Sequence, residues 1–568
     1  MERRRRLLTR TLPLALIAAI AFVVGAATGA PSSPEREAAG RFADAWAEGR
    51  FAAMYRELNP ASQQAISVND FAIAYRDAAV VATLRSLETG SPHDPESEGG
   101  ETLVSVPIVL RTVAFGSRED QLALPFADGG VAWDRSLVYP GLRSGEQLES
   151  QIELAPRAPI LARDGTALAE GPAEAREHPL GSAAIDVAGE TGAAPEEELE
   201  ALARQGFGAE TPVGISGLER AFNTRLAGRP GGSLLAVGAA GGSRVLAESK
   251  PKAGAPVKTT IDPELQEAAV AALAGRVGGV AVLDARRGDV RALAGQAFSA
   301  PQPPGSTFKI LTTVAALEAG EVSMEDEFEI TDGVTAGRFI ENANGEFCGG
   351  TFPHAFAESC NAVFAPLGPA VGNEKLVETA ERFGFNSSPT LYAPKIVRAV
   401  EPAESTIPAE IGEETDLAVS AIGQGEVLAT PLQMASVAQT VANGGVREPT
   451  SIVANQKLRP HAEPVRVMSA KVAGELTDLM IGVVTEGTGT AGAIAEAQVA
   501  GKTGTAELGP VPGHEDEENP PQIKDAWFTA FAPADKPRLA VGVLLIEAEA
   551  AGGEVAAPIA SEVLSAGL

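Results

Sequence analysis

Apolar residues recur along this chain with two different periods, and the places where the period changes divide it into segments. Ser33-Pro34-Glu35 sets a capping hydroxyl, a first-turn proline and an acid ahead of Phe42 and Trp46 at i,i+4, with Gly49 as a stop. That order predicts a helix. Phe51, Met54, Tyr55 and Leu58 mark a second amphipathic stretch, and a third helix is expected from Ser67 through Phe71, Tyr75 and Val80. The pattern then becomes strand-like over residues 103–115, 121–126 and 131–139, with Asp128-Gly129-Gly130 as a hairpin turn between the last two. Helices followed by antiparallel strands predict a small α+β domain ending near Gly145.

From about 147 to 258 the pattern weakens and Pro, Gly, Ala and Glu dominate. An irregular connecting module is expected there, with one helix-like element at 217–226. The last 300 or so residues are denser. They predict a helix at 262–273, a buried hairpin at 279–284 and 290–293, and an apolar helix at 306–317 stopped by Gly320. Three consecutive strands are expected at 497–508, 526–532 and 538–546, and no internal repeat is visible.

At the amino terminus, Arg3 to Arg6 and Arg10 precede an apolar run over residues 12–30. At about 1.5 Å per residue such a helix nearly crosses a hydrocarbon core. The flanking arginines hold residues 1–11 in the cytoplasm and direct the rest outside. An uncleaved anchor is the expectation; a signal peptide cleaved after Thr28-Gly29-Ala30 is the competing reading. The net charge of −30 disfavours nucleic acid as a partner. Five scattered His and two Cys, at 348 and 360, give no metal-ligand spacing, so neither metal nor cofactor is expected.

Three short segments carry candidate chemistry. In Pro304-Gly305-Ser306-Thr307-Phe308-Lys309 a turn delivers Ser306 to a helix start, with Lys309 three residues on and on the same face. A serine hydroxyl needs an adjacent base, and lysine serves as one only when burial or a nearby cation keeps it neutral. A solvated lysine is the bland alternative for this segment alone. Ser359-Cys360-Asn361 places a hydroxyl and an amide around one loop residue, suited to proton relay and amide binding. Gly501-Lys502-Thr503-Gly504-Thr505 falls in an expected strand, where two interior glycines mark close approach of another backbone or a ligand.

As a set, in this order and spacing, these segments resemble the signature of penicillin-binding proteins and serine β-lactamases. Thr259-Thr260-Ile261-Asp262, Gly423-Gln424-Gly425, Thr430 to Ala435, Ala442-Asn443-Gly444-Gly445 and Ala526-Trp527-Phe528 extend the resemblance. Trp133 to Leu142 resembles the end of the NTF2-like domain of low-affinity class B penicillin-binding proteins, and residues 157–168 resemble the entry to their dimerisation module. The resemblance implies a multidomain α+β protein: cytoplasmic tail 1–11, transmembrane anchor 12–30, NTF2-like domain 33–146 and dimerisation or pedestal module 147–258. A transpeptidase domain, an antiparallel sheet flanked by helices, then occupies 259–568.

It also implies a D,D-transpeptidase of the cell membrane, single-pass and with its catalytic domain outside the cytoplasm. Ser306 would attack the D-Ala-D-Ala carbonyl of peptidoglycan stem peptides and Lys309 would take its proton. Ser359 and Lys502 would relay a proton to the leaving amine. Asn361 would bind the substrate amide, and Thr503, Gly504 and Thr505 would line the site, the two threonines holding the terminal carboxylate. β-Lactams would acylate Ser306, and a separate glycosyltransferase would supply glycan polymerisation. Outside the cytoplasm Cys348 and Cys360 would form a disulfide; a buried free thiol is the alternative. A D,D-carboxypeptidase, a β-lactamase and a non-enzymatic β-lactam sensor are the rival functions. No Glu-x-x-Leu-Asn segment stands between Asn361 and Lys502, which counts against a class A β-lactamase.

Overall fold

The structure, a computed structural model, describes residues 33–98, 101–393, 402–510, 512–513 and 522–568. The anchor expected at 12–30 lies outside them. Among the described residues no helix is long and apolar enough to cross a membrane. The described residues form two compact units, one within Met1–Ala155, Pro195–Thr211 and Gly228–Ala253, the other within Pro156–Ala194, Pro212–Ala227 and Gly254–Leu568.

In the first unit four helices, α1 (Pro34–Ala47), α2 (Phe51–Arg56), α3 (Pro60–Ala65) and α4 (Val68–Val81), lie against a sheet. The hydroxyls of Ser33 and Ser67 cap α1 and α4, as their sequence positions predict. Helix α3 spans six residues, too short to show a period, and is capped by Asn59. The sheet comprises β1 (Leu84–Thr89), β2 (Glu96–Glu98), β3 (Glu101–Thr112), β4 (Ser117–Ala127) and β5 (Gly130–Val131), in the order β1-β3-β4-β5 with β2 on β3. Val104, Val106, Ile108 and Leu110 point inward from β3 to meet Phe42, Met54, Phe71 and Tyr75.

The strand expected over 131–139 ends at Val131. Its backbone is held by Glu57 and Asn59, and Asp134 then caps a 3₁₀ turn over Arg135–Val138. The Trp133 indole donates to the Tyr75 hydroxyl at 3.1 Å.

The irregular module expected over 147–258 is more ordered than its composition suggests, and its residues fall in both units. In the first unit β6 (Glu146–Glu153), β7 (Gly231–Gly238) and β8 (Ser243–Ser249) form an antiparallel sheet in the order β8-β7-β6. The inner face of β6 alternates Glu146, Leu148, Ser150 and Ile152, half of it polar, so the period-2 signal is diluted. In the second unit, short helices at Ser182–Ala188, Gly217–Ala221 and Asn223–Ala227 surround a fully buried Glu219. Its carboxylate accepts from the guanidinium groups of Arg157 and Arg176, both nearly inaccessible. Glu219→Gln would leave two buried cations without their counter-charge. Unfolding in denaturant should show a loss of about 3–5 kcal/mol.

The largest sheet of the second unit is five-stranded, antiparallel and set between helices, with smaller two- and three-stranded sheets elsewhere in the unit. Its strands are β9 (Gly278–Asp284), β10 (Val290–Gly295), β11 (Ala500–Pro510), β12 (Gln522–Ala532) and β13 (Leu539–Ala548), in the order β10-β9-β13-β12-β11. Buried on both faces, the central strands read as nearly continuous apolar runs. Val541, Val543 and Leu545 meet α5 (Pro263–Leu273) and a carboxy-terminal helix, Gly552–Gly567, that the sequence reading did not anticipate. Trp527, Phe531, Ala540 and Leu544 face a second core containing Phe308 and Ile310, shared with α6 (Lys309–Ala319), α7 (Pro431–Ala442) and α8 (Ala470–Thr485). The expected hairpin and the three late strands are all present, and β11 is one of the two edge strands of the sheet.

Candidate active site

Ser306 sits in a 3₁₀ turn, Gly305–Phe308, that runs straight into α6. Sequence chemistry explains why the turn lies against β11. Gly305 adopts φ +51°, and a Cβ there would lie 2.6 Å from the Thr505 carbonyl oxygen. On the strand side, a Cβ at Gly504 would lie 2.6 Å from the Pro304 carbonyl oxygen and 2.9 Å from Thr307 Cγ2. The two glycines let serine turn and strand touch backbone to backbone. The Gly305 N–H donates to the Gly423 carbonyl at 2.8 Å, and the Trp527 indole donates to the Pro303 carbonyl at 2.8 Å. Two segments singled out in the sequence, Gly423-Gln424-Gly425 and Ala526-Trp527-Phe528, thus support the turn. Gly504→Ala should push the serine turn away from β11. A displacement of about 1 Å corresponds to a loss of roughly 10²-fold in acylation rate, measurable by stopped-flow with a reporter β-lactam.

Lys309 and Lys502 are both fully buried, whereas Ser306, Ser359, Asn361 and Thr505 are half-exposed. Lys309 Nζ lies 2.6 Å from the Ser359 carbonyl oxygen, 2.7 Å from Asn361 Oδ1 and 3.3 Å from Ser359 Oγ. Lys502 Nζ lies 2.9 Å from the same Ser359 Oγ and 3.2 Å from the Thr503 carbonyl oxygen. One hydroxyl therefore joins two amines whose residues are 193 positions apart in the chain. The three sequence segments converge.

Ser359 holds φ +62°, a strained conformation for a residue with a Cβ. Its surroundings fix it. The helix Phe352–Ala357 leads in, the Cys348–Cys360 disulfide ties the next residue to a neighbouring strand, and Asn361 Nδ2 donates to the Glu341 carbonyl at 2.9 Å. Thr503 Oγ1 lies 2.6 Å from Thr488 Oγ1, and the Gly552 N–H donates to Thr505 Oγ1 at 3.3 Å. Thr488 was not foreseen. It stands alone between glycines, with no motif to point it out, and it also donates to the Ala357 carbonyl beside Ser359.

Burial is the main force on both amines. It lowers Lys309 far below the ordinary lysine value, with the Lys502 charge adding to the effect. Lys502 is lowered to about 7, with Glu358 opposing the shift. Two cations sharing one hydroxyl in a dry site repel, so the pair favours one neutral and one charged amine. Lys309 carries the stronger bias to neutrality. A neutral amine has two N–H groups and a lone pair. The carbonyl of Ser359 and the amide oxygen of Asn361 take the two N–H groups, which leaves the lone pair for a proton. Lys309 is therefore equipped to act as a general base without histidine. Because β11 is an edge strand, half of its backbone groups point away from the sheet and can pair with an extended ligand.

The profile of the penicillin binding protein transpeptidase domain matches residues 278–565, and that of the penicillin-binding protein dimerisation domain matches residues 171–259. The peptidoglycan D,D-transpeptidase PbpA of Mycolicibacterium smegmatis is 39% identical over 298 residues, covering 49% of this chain and 57% of that protein. The protein of the same name from Mycobacterium tuberculosis is 37% identical over 297 residues, again covering 49% and 57%. The chain thus spans little more than half the length of these relatives. Among solved structures, the D,D-transpeptidase domain of a peptidoglycan glycosyltransferase from Eggerthella lenta is 30% identical with a TM-score of 0.57. That similarity covers 73% of this chain and 98% of the other. Penicillin-binding protein A from M. tuberculosis, solved as a ceftriaxone acyl-enzyme complex, is 28% identical with a TM-score of 0.57, over 73% and 98% of the two chains.

Proposed function

Since this chain belongs to the penicillin-binding protein transpeptidase family, of class B, we propose that it is a serine D,D-transpeptidase that cross-links peptidoglycan stem peptides. The single observation that carries the proposal is the bridge from Lys309 through Ser359 Oγ to Lys502, beside the Ser306 turn.

Neutral Lys309 takes the Ser306 proton as Oγ attacks the carbonyl between the two terminal D-alanines. Backbone N–H groups of Ser306 and Thr505 stabilise the oxyanion. The tetrahedral intermediate collapses by breaking the C–N bond. The departing amine receives a proton through Ser359, with Lys502 holding that hydroxyl, and D-alanine leaves. Asn361 orients the peptide amide, while Thr503 and Thr505 on β11 hold the terminal carboxylate. The amine of a second stem then attacks the acyl-enzyme, loses its proton to the same relay, and releases Ser306 with the cross-link formed. β-Lactams enter at the first step and stay, because their leaving amine remains tethered to the acyl group.

The remaining segments suit a wall enzyme. The arginine-flanked apolar run at 12–30 serves as a membrane anchor, which places the catalytic unit outside the cytoplasm. The four helices over an antiparallel sheet in residues 33–146 support an NTF2-like spacer. A separate glycosyltransferase then supplies the glycan strands.

The test is direct. The full chain is incubated with a synthetic pentapeptide ending in D-Ala-D-Ala and an amine acceptor, and products are resolved by mass spectrometry. Cross-linked dimer together with free D-alanine is expected. Tetrapeptide alone would identify a carboxypeptidase, and rapid turnover of benzylpenicillin a β-lactamase. No reaction with either substrate would favour a non-catalytic sensor.

A further inference from the structure

The second unit contains a cavity of about 200 Å³ whose lining shares no residue with the catalytic cluster. Its walls include Gly384, Ser436 on α7, Arg447 on the short strand Val446–Arg447, and Glu448 and Thr450 just after it, with exposed Glu463 also lining it. Arg447 is the anomaly. Its Nε donates to the Arg382 carbonyl at 3.0 Å, while Nη1 and Nη2 have no hydrogen-bond or ion-pair partner among the described residues. Burial alone lowers the guanidinium, and no carboxylate compensates it. Arg447 is half-buried, and a partly desolvated cation with no counter-charge is costly and is normally paired.

The surroundings accommodate the charge without neutralising it. Gly384 adopts φ +105°, and a Cβ there would lie 2.8 Å from Arg447 Nη1, so the glycine leaves room for the guanidinium. Ser436 and Thr450 are more than nine-tenths buried, and their hydroxyls have no protein partner among the described residues. Both line the cavity. The two NH₂ groups at the free end of a guanidinium and two unengaged hydroxyls form a donor set for a planar oxyanion. Glu448, which accepts from Asn443, and Glu463 place negative charge around the opening. They disfavour polyanions and doubly charged phosphate. A single negative charge fits better.

We propose that this cavity is a binding site for a small monocarboxylate, gripped by Nη1 and Nη2 of Arg447 and by the hydroxyls of Ser436 and Thr450. The site stands on its own residues and does not depend on the catalytic assignment.

Acetate is the probe. The melting temperature of the full chain is followed against sodium acetate, with sodium chloride at matched ionic strength as the reference and sodium phosphate as a second arm. Wild type should show a saturable rise in acetate beyond the chloride control. Arg447→Lys, which keeps the charge and loses the fork, should abolish that rise, and Thr450→Val should weaken half-saturation about threefold or more. Penicillin labelling should be unchanged in both variants. If Arg447→Lys fails to fold, Thr450→Val decides. No saturable rise, an equal rise in wild type and variants, or a rise in phosphate without one in acetate would each overturn the proposal.

Discussion

Ser306→Ala is expected to remove covalent labelling by penicillin altogether, with the protein still folded. The substitution deletes one oxygen from a half-exposed side chain and leaves the turn's anchoring contacts, Gly305 to Gly423 and Trp527 to Pro303, in place. Melting temperature should therefore change little. Loss of a nucleophile that acts as a unit with its base typically costs on the order of 10⁶-fold in rate. On the time scale of a labelling assay that is zero. Intact-mass measurement should show one penicilloyl adduct on wild type and none on the variant. Peptide mapping should place the wild-type adduct on the segment containing Ser306. An adduct retained by the variant would assign the nucleophile elsewhere.

The second large effect concerns Lys309. General-base catalysis contributes roughly 10²–10⁴-fold, and Lys309→Met should lower the acylation rate by about that factor. Lys309→Arg separates two explanations. Arginine preserves a positive charge at the helix start but does not deprotonate in a protein. If Lys309 works as a base, the arginine variant should be as slow as the methionine variant. If it works as a fixed cation, arginine should restore much of the rate. Rapid-mixing kinetics with a chromogenic cephalosporin give the comparison.

How much of this was legible in the sequence follows from how local each signal is. Ser306 and Lys309 share one helical turn, and Lys502 to Thr505 share one strand, so their relation is visible from spacing. Their convergence on Ser359 is not a local property; the resemblance to a known family anticipated it, since spacing alone does not. Thr488 and Glu358 escaped notice because each acts across long sequence separations and belongs to no repeating pattern. The sheet of β6, β7 and β8 was missed for a different reason. The inner face of β6 carries Glu146 and Ser150, with Glu146 paired to Arg244, so burial there does not look apolar. The strand expected at 131–139 failed through a capping effect, because Asp134 offered the backbone a tighter turn than the sheet could. Arg447 reads as an ordinary arginine until its partial burial without a carboxylate partner is seen.

The proposed mechanism needs a neutral Lys309 and a charged Lys502 to share Ser359 in the resting protein. The pH dependence of the second-order acylation constant of wild type tests it most directly, since that constant reports groups of the free enzyme. A lysine is protonated below its pKa, so base function of Lys309 appears as pH rises through a value far below 10.5. The Lys502 charge is lost as pH rises through about 7. The expected profile is a bell whose descending limb begins near neutrality, the two limbs belonging to the coupled pair. A rate that climbs without a maximum to pH 10 and beyond would contradict this pairing of a neutral and a charged lysine.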